Sequence, residues 1–385
     1  MKISIFGTSS LGLLARLVVV HVFGTLFAYL VYKRFTQLGD VYDPASYAAY
    51  AAGKGGESLS STLFTFFVYS KLGSVFPGFL APMVLGILIA LVTWLAFRDV
   101  YNHISRKLFW TCNLFPHFLV WSGSSSKEQL VILSGLVVLN FAAKRSFAAK
   151  NLDISFIFVL IAMLVVLLIR PNYFVIYFVI FTTALFSPWL HKIVSRRLSV
   201  GIWVLMFTLL TIGVTVYLAV TSTFFSEDVV NFMLKYQGYF LNLEGGSNRY
   251  WIQWNDIYDL LYNSFWAIPQ GFIGPTLMES LSKPIQFPVF LEGLLFITVL
   301  GYLFFKLLQL AFKNRVLRVY ILPYIFVCFI IIFMSYPILM FNPGSALRYK
   351  QSMHPILIFY PLLVLGYYRA NHLIKSKLKK TSDEY

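Results

Sequence analysis

Asp40, Lys127, Arg170 and Arg348 are the side chains best suited to chemistry in a chain that is otherwise overwhelmingly apolar. Asp40 follows Gly39 just beyond a long apolar run, where no helix start accounts for it. A carboxylate held at a membrane surface can serve as a general base toward a hydroxyl that it reaches. Asp43 precedes Pro44, the pattern of a helix start in which a carboxylate caps the first amides. Where it is not spent on that cap, Asp43 is a candidate for contact with substrate. Arg170-Pro171 separates two apolar runs by a very tight turn. An arginine there either complements the dipole of the helix it ends or binds an anion.

The segment Trp121-Ser122-Gly123-Ser124-Ser125-Ser126-Lys127-Glu128 leads into another apolar run. Ser125 and Glu128 fit a capping box, which leaves Lys127 unexplained, because a cation in a first helical turn opposes the dipole. Lys127 therefore either snorkels into water or holds an anion. Further on, Arg348-Tyr349-Lys350 stands before the last apolar run. A planar guanidinium binds phosphate through paired hydrogen bonds, which makes Arg348 the strongest single candidate, with Tyr349 beside it. His354, before Pro355, is either an interfacial structural residue or a proton carrier. A long polar segment holds an amphipathic stretch from Glu227 to Asn242 capped by Ser226, a Gly-containing turn ending at Arg249, and an aromatic belt that includes Trp251, Trp254, Tyr258, Tyr262, Phe265 and Trp266. Aromatics at this density anchor helices at a bilayer interface, and they also stack on the apolar faces of sugars, so Arg249, Trp251 and Trp254 are candidates for contact with substrate. Zinc spacings, phosphate loops, dinucleotide fingerprints and nucleophile elbows do not appear in usable form, so no metal ligands are assigned.

The elements that must position these groups follow from composition. Of 385 residues, 59% are hydrophobic and 12% charged, with 39 Phe, 24 Tyr and 8 Trp. A soluble domain carries about 25% charged residues. The expected fold class is an all-α polytopic membrane protein, one membrane domain over residues 1–385, with about ten transmembrane helices. The spans read as Leu11–Tyr32, Phe76–Phe97, Leu108–Val120, Gln129–Ala143, Ile154–Ile169, Tyr173–Leu190, Val200–Thr223, Phe290–Ala311, Val319–Met340 and Met353–Tyr368. The first reads as a retained signal anchor. Cys112 and Cys328 lie in apolar runs and read as packing residues.

Net charge is +16, which on one soluble surface would suggest nucleic acid. Its distribution points elsewhere. Alternate connections carry Arg98, Arg106 and Lys107; Lys144, Arg145 and Lys150; Lys192, Arg196 and Arg197; and Lys313, Arg315 and Arg318, and the tail over 369–385 is also basic. By the positive-inside rule these sides and both termini are cytoplasmic, and nucleic acid is excluded as a partner. Two long loops, 33–75 and 224–289, then face outward with their interfacial helices. Membrane lipids are the first partner implied.

Gly39-Asp40 with Tyr47, Trp121-Ser122-Gly123 with Lys127-Glu128, the Arg170-Pro171 hairpin, and Arg348-Tyr349 with Pro355 together resemble GT-C-type integral-membrane glycosyltransferases. Within that class the layout is similar to Wzy-type polymerases of O-antigen and other surface polysaccharides. The resemblance spans the whole chain through short, permissive motifs. It implies transfer of a sugar from a polyprenyl-linked donor to an acceptor hydroxyl at the periplasmic face of the bacterial inner membrane. The substrate would be a polyprenyl-diphosphate-linked oligosaccharide, with a chain-length regulator as a further candidate partner. Asp40 would orient or deprotonate the acceptor, and Arg170, Arg348 and Lys127 would neutralise the departing phosphate. Divalent-cation use is left open, since some GT-C enzymes need a metal and Wzy polymerases are thought to work without one. Two other readings stand beside the polymerase: a transferase using a polyprenyl-phosphate monosaccharide, and a lipid or solute transporter.

Overall fold

The computed structural model describes residues 8–36, 60–147, 154–187, 257–314 and 339–383, with single positions between 238 and 332. Asp40, Asp43, the Val200–Thr223 span, the stretch from Glu227 to Asn242 and most of the Val319–Met340 span lie outside the described residues. Regular structure among the described residues is entirely helical. The chain divides into two compact units, one formed by Met1–Ser187 with Gln351–Tyr385 and the other by Pro188–Lys350.

The first unit contains α1 (Thr8–Thr36), α2 (Ser60–Val75), α3 (Leu80–Phe97), α4 (Arg106–Asn113), α5 (Pro116–Gly123), α6 (Lys127–Phe147), α7 (Ser155–Ile169) and α8 (Pro171–Leu185). The second contains α9 (Ile257–Ile273), α10 (Leu277–Ser282) and α11 (Phe287–Lys313), followed by α12 (Pro343–Ser352), whose last two residues begin the returning part of the first unit. That part continues through a π-helical turn at Pro355–Phe359 into α13 (Tyr360–Asp383).

Four stretches among the described residues are long and apolar enough to cross a membrane: Ser10–Leu30, Leu80–Phe97, Lys127–Phe147 and Pro284–Lys313. They match the expected first, second, fourth and eighth spans, and α7 and α8 are shorter apolar helices at the fifth and sixth. The chain is thus a helical membrane protein. The run expected as one span over Leu108–Val120 is instead two helices of 8 residues each. Pro116 is the cause, because the residue before proline is pushed out of the helical region. Phe115 accordingly sits at φ −55°, ψ 120°. At about 12 Å apiece neither helix can span a bilayer.

Helices α1, α3, α5 and α6 pack through small residues, as helices do where the surrounding solvent is as apolar as the core. A Cβ on Gly123 would lie 2.6 Å from the Thr25 amide nitrogen, and one on Gly86 would lie 3.2 Å from the Thr25 hydroxyl. Gly123→Ala is therefore expected to force α1 and α5 apart and to cost about 1–3 kcal/mol, read as a lowered thermal midpoint in detergent. Gly12→Ala meets open space, so it is the matched substitution that leaves the midpoint unchanged.

From Gln351 to Tyr367 every residue is buried, and beyond His354 the segment is apolar or aromatic throughout. Pro361 explains its π-helical turn. With no N–H to give Leu357, it leaves the ladder to widen, and the Tyr360 amide donates instead to the Pro355 carbonyl.

Candidate functional site

Each unit holds a polar cluster. In the first unit, the Ser126 hydroxyl accepts from the Gln129 amide at 3.2 Å, so Ser126 rather than Ser125 caps α6. The box is displaced by one residue, and Glu128 is released from the capping role expected of it. The Glu128 carboxylate is fully buried and accepts from an Arg170 Nη at 2.7 Å, while Arg170 keeps 15% exposure. Arg170 is the single residue between α7 and α8, and Pro171 starts α8 at once, so the tight turn leaves the guanidinium directed at α6. Lys127, half-buried, occupies the first turn beside this pair.

Gln129 replaces Glu128 in the box but sends its side chain elsewhere. Its amide donates to the Ser122 carbonyl at 2.6 Å and the Pro82 carbonyl at 2.8 Å, and accepts from the Tyr69 hydroxyl at 2.7 Å. The same Tyr69 oxygen accepts from the Ser126 amide at 3.0 Å. Ser122 in turn lies 3.4 Å from Nδ1 of His21, midway along α1. These bonds knit α1, α2, α3, α5 and α6 together where polar atoms have no water to turn to.

The opposite end of the first unit has a different chemistry. Trp94 donates to the Ser10 carbonyl, Ser187 to the Arg145 carbonyl and Arg369 to the His103 carbonyl, which brings the basic residues Arg98, Arg106, Lys107, Lys144, Arg145 and Arg369 to that end. His354 is at neither end. It is buried in apolar company, stacked on Phe118 with centroids 4.2 Å apart and edge-on to Phe359.

In the second unit Arg249 is the centre. Its Nε and Nη2 donate to the two oxygens of Glu279 at 2.7 and 2.6 Å, Nη1 donates to the Met340 carbonyl at 2.6 Å, and Nη2 also reaches the Gly274 carbonyl at 2.7 Å. Its backbone amide donates to the Phe341 carbonyl. Gly274 adopts φ +92°, the left-handed form that ends α9 and turns a carbonyl toward the guanidinium. Glu279 also closes a capping box with Thr276. Burial alone would raise the Glu279 carboxyl, but hydrogen bonds from Arg249 and Thr276 and the arginine's charge outweigh it and hold the group below its ordinary range. An arginine so engaged organises the loop.

Trp254 is likewise inward, buried edge-on to Phe341 at 5.0 Å. Trp251 is exposed and parallel to Trp266, with centroids 6.5 Å apart. Arg348 and Tyr349 are half-buried on α12, whose first turn is capped by Asn342. Tyr262, Phe265 and Trp266 form an exposed aromatic stripe on α9 at helical spacing, and α9 packs on α11, whose Leu291, Leu294 and Leu295 are also exposed. An exposed aromatic stripe beside an apolar helix of spanning length is the surface that an interfacial helix would present. Phe265 is 89% exposed, and Cys112 and Cys328 are buried. A fluorophore on Phe265→Cys is therefore expected to be quenched by shallow nitroxide lipids and shielded from aqueous iodide.

The structure thus gathers Lys127 and Arg170 at one end of the first unit, and Arg249, Trp251, Trp254, Arg348 and Tyr349 in the second. Sequence reasoning missed Gln129 and Tyr69, whose roles depend on packing, and Glu279, whose Thr276-x-x-Glu279 box was legible. Among the described residues no three His, Cys, Asp or Glu side chains converge as metal ligands, and Glu128 and Glu279 are each engaged by an arginine. The fold and polar clusters define a helical membrane protein with unlike ends to its first unit. Comparison with protein-family models, curated proteins and solved structures returned no match.

Proposed function

We propose that the protein is a glycosyltransferase of the bacterial inner membrane that polymerises undecaprenyl-diphosphate-linked repeat units of a surface polysaccharide at the periplasmic face. One observation carries this reading: Lys127-Glu128 and Arg170, 42 residues beyond Glu128, share one end of an apolar bundle whose other end is rich in cations. With the basic end cytoplasmic, the Lys127 and Arg170 cations face the leaflet where a lipid-linked glycan is presented.

In the reaction, the acceptor hydroxyl oxygen bonds to the donor's anomeric carbon while the bond from that carbon to the diphosphate oxygen breaks. The hydroxyl proton passes to Asp40, and the polyprenyl diphosphate departs with its new charge. Arg170, pre-oriented by Glu128, and Lys127 supply fixed positive charge for that leaving group, and Arg348 is a further phosphate-binding candidate by its residue type. Trp251 offers an exposed ring for an acceptor sugar. A polyprenyl-phosphate monosaccharide would be served by the same groups.

A deletion strain is expected to carry a single repeat unit on its lipid core, seen as collapse of the polysaccharide ladder to one band. Asp40→Asn should reproduce that band. Complete loss of the polymer, including the single unit, would point to an earlier step. A transport reading has one observation in its favour, the buried His21, Ser122, Gln129 and Tyr69 network inside the bundle. Flux of lipid-linked glycan in proteoliposomes containing only this protein would favour it over transfer.

A further inference from the structure

Lys350 is a fully buried lysine on α12, two residues from Arg348. Its Nζ donates to the Phe272 carbonyl at 3.0 Å and sits 4.8 Å above the Phe296 ring. Phe272 is in the last turn of α9, where free carbonyls favour a cation, and Phe296 is on α11. Next to this contact Leu347 packs into the space above Gly274, its Cδ2 2.9 Å from where a Cβ would stand. Leu347 and Lys350, three residues apart, thus seat one face of α12 on the end of α9.

We propose that Lys350 positions the helix carrying Arg348 and Tyr349, acting as a latch between α12 and the last turn of α9 whose hold tightens when its ammonium gives up a proton. The direction is set by burial, against which the carbonyls at the end of α9 and the face of Phe296 pull. Removing an ammonium from water costs free energy unless a charge offsets it, and the neutral amine escapes that cost while keeping an N–H for the Phe272 carbonyl. Charged groups on the packed elements are Asp259 on α9, Glu279 on α10, Glu292, Lys306 and Lys313 on α11, Arg249 at the turn and Arg348 on α12 itself. Of these, Glu292 is the one whose charge bears on Lys350, and it pulls against burial.

With the latch shut, burial lowers the amine to about 8 despite Glu292. Open to water, it returns to the ordinary lysine value of about 10.4. Between those values the open form holds the extra proton, so rising pH depletes it, by up to about tenfold per pH unit. Arg249 and Glu279 do not take part, because an arginine and a carboxylate held low both keep their charge over this range. The consequence for Arg348 rests on the proposed glycosyl transfer, whereas the latch itself does not.

The test is hydrogen–deuterium exchange of the full chain in nanodiscs at pH 7 and pH 9, corrected for intrinsic exchange rates. Over 343–350 the wild type should show an opening constant roughly tenfold lower at pH 9. Peptides over the α10 capping box should not change. Lys350→Met should be protected at both pH values, with no step between them. Glu292→Gln, which folds independently of any fault in the Lys350 variant, should move the wild-type step to lower pH. A wild-type opening constant that stays level or rises with pH, or a Lys350→Met chain that keeps the step, overturns the latch. Exchange needs no glycan transfer, so loss of the enzymatic reading would leave a positive result standing.

Discussion

Arg170→Ala is expected to abolish polysaccharide extension and at the same time to destabilise the first unit by about 3–5 kcal/mol. The stability loss arises because Glu128 has no exposure, so removing the guanidinium leaves a carboxylate buried without its 2.7 Å partner. Breaking a buried pair from one side costs far more than the pair contributes when intact, since the remaining charge keeps its desolvation penalty. The functional loss has a separate cause, the missing cation at the departing phosphate. Arg170→Met combined with Glu128→Leu separates the two. Replacing both members with apolar residues of similar volume should bring the thermal midpoint back to near that of the wild type, because no orphan charge is left. Polymer length should stay at a single unit. A doubly substituted protein that regains both stability and ladder would reduce the pair to a structural tie.

Arg249→Ala should have the largest effect on the second unit. One substitution strips partners from both Glu279 oxygens and from the Met340 and Gly274 carbonyls. The Gly274 carbonyl keeps the Gln270 side-chain amide and one Glu279 oxygen keeps the Thr276 amide, so the loss falls mainly on the Met340 carbonyl and the charge-assisted pair, at about 1–3 kcal/mol for each buried acceptor left bare. Limited proteolysis in nanodiscs should show new cleavage between 249 and 282, with a fall of several degrees in the midpoint. Arg249→Lys should rescue little of this, because one ammonium cannot reproduce a planar fork that spans a carboxylate and two carbonyls at once. Glu279→Gln should be milder, since it keeps the Thr276 capping geometry and an acceptor for the guanidinium. If Arg249→Ala leaves proteolysis unchanged, the guanidinium is free for the substrate role that its sequence context suggested.

Much of the outline was legible before any coordinates. The apolar runs around residues 10–30, 80–97, 127–147 and 284–313 are helices long enough to cross a membrane, because a spanning segment must satisfy its backbone internally and be apolar along its length, and both demands are local. The Thr276 box and the Asn342 cap are equally local. Leu108–Val120 misled for an informative reason: hydropathy measures apolar length, but the backbone answers to Pro116. Glu128 misled in another way. Ser125 and Ser126 both offer a capping hydroxyl, and the choice falls to Ser126 because Gln129 is held by Tyr69, Pro82 and Ser122 while Glu128 finds Arg170.

Residue types and spacing by themselves determined that this chain lives in a membrane, roughly where its four long apolar helices run, and which cations could orient it, since these depend on interactions within a few turns. Only the tertiary structure decided what each polar group does. Arg170 spends a hydrogen bond on Glu128, Arg249 closes a loop, Trp254 and His354 turn inward, and Lys350 ties α12 to α9. The physical reason is that a charge in an apolar medium takes whichever partner the fold brings within about 3 Å, and that partner is generally remote in sequence.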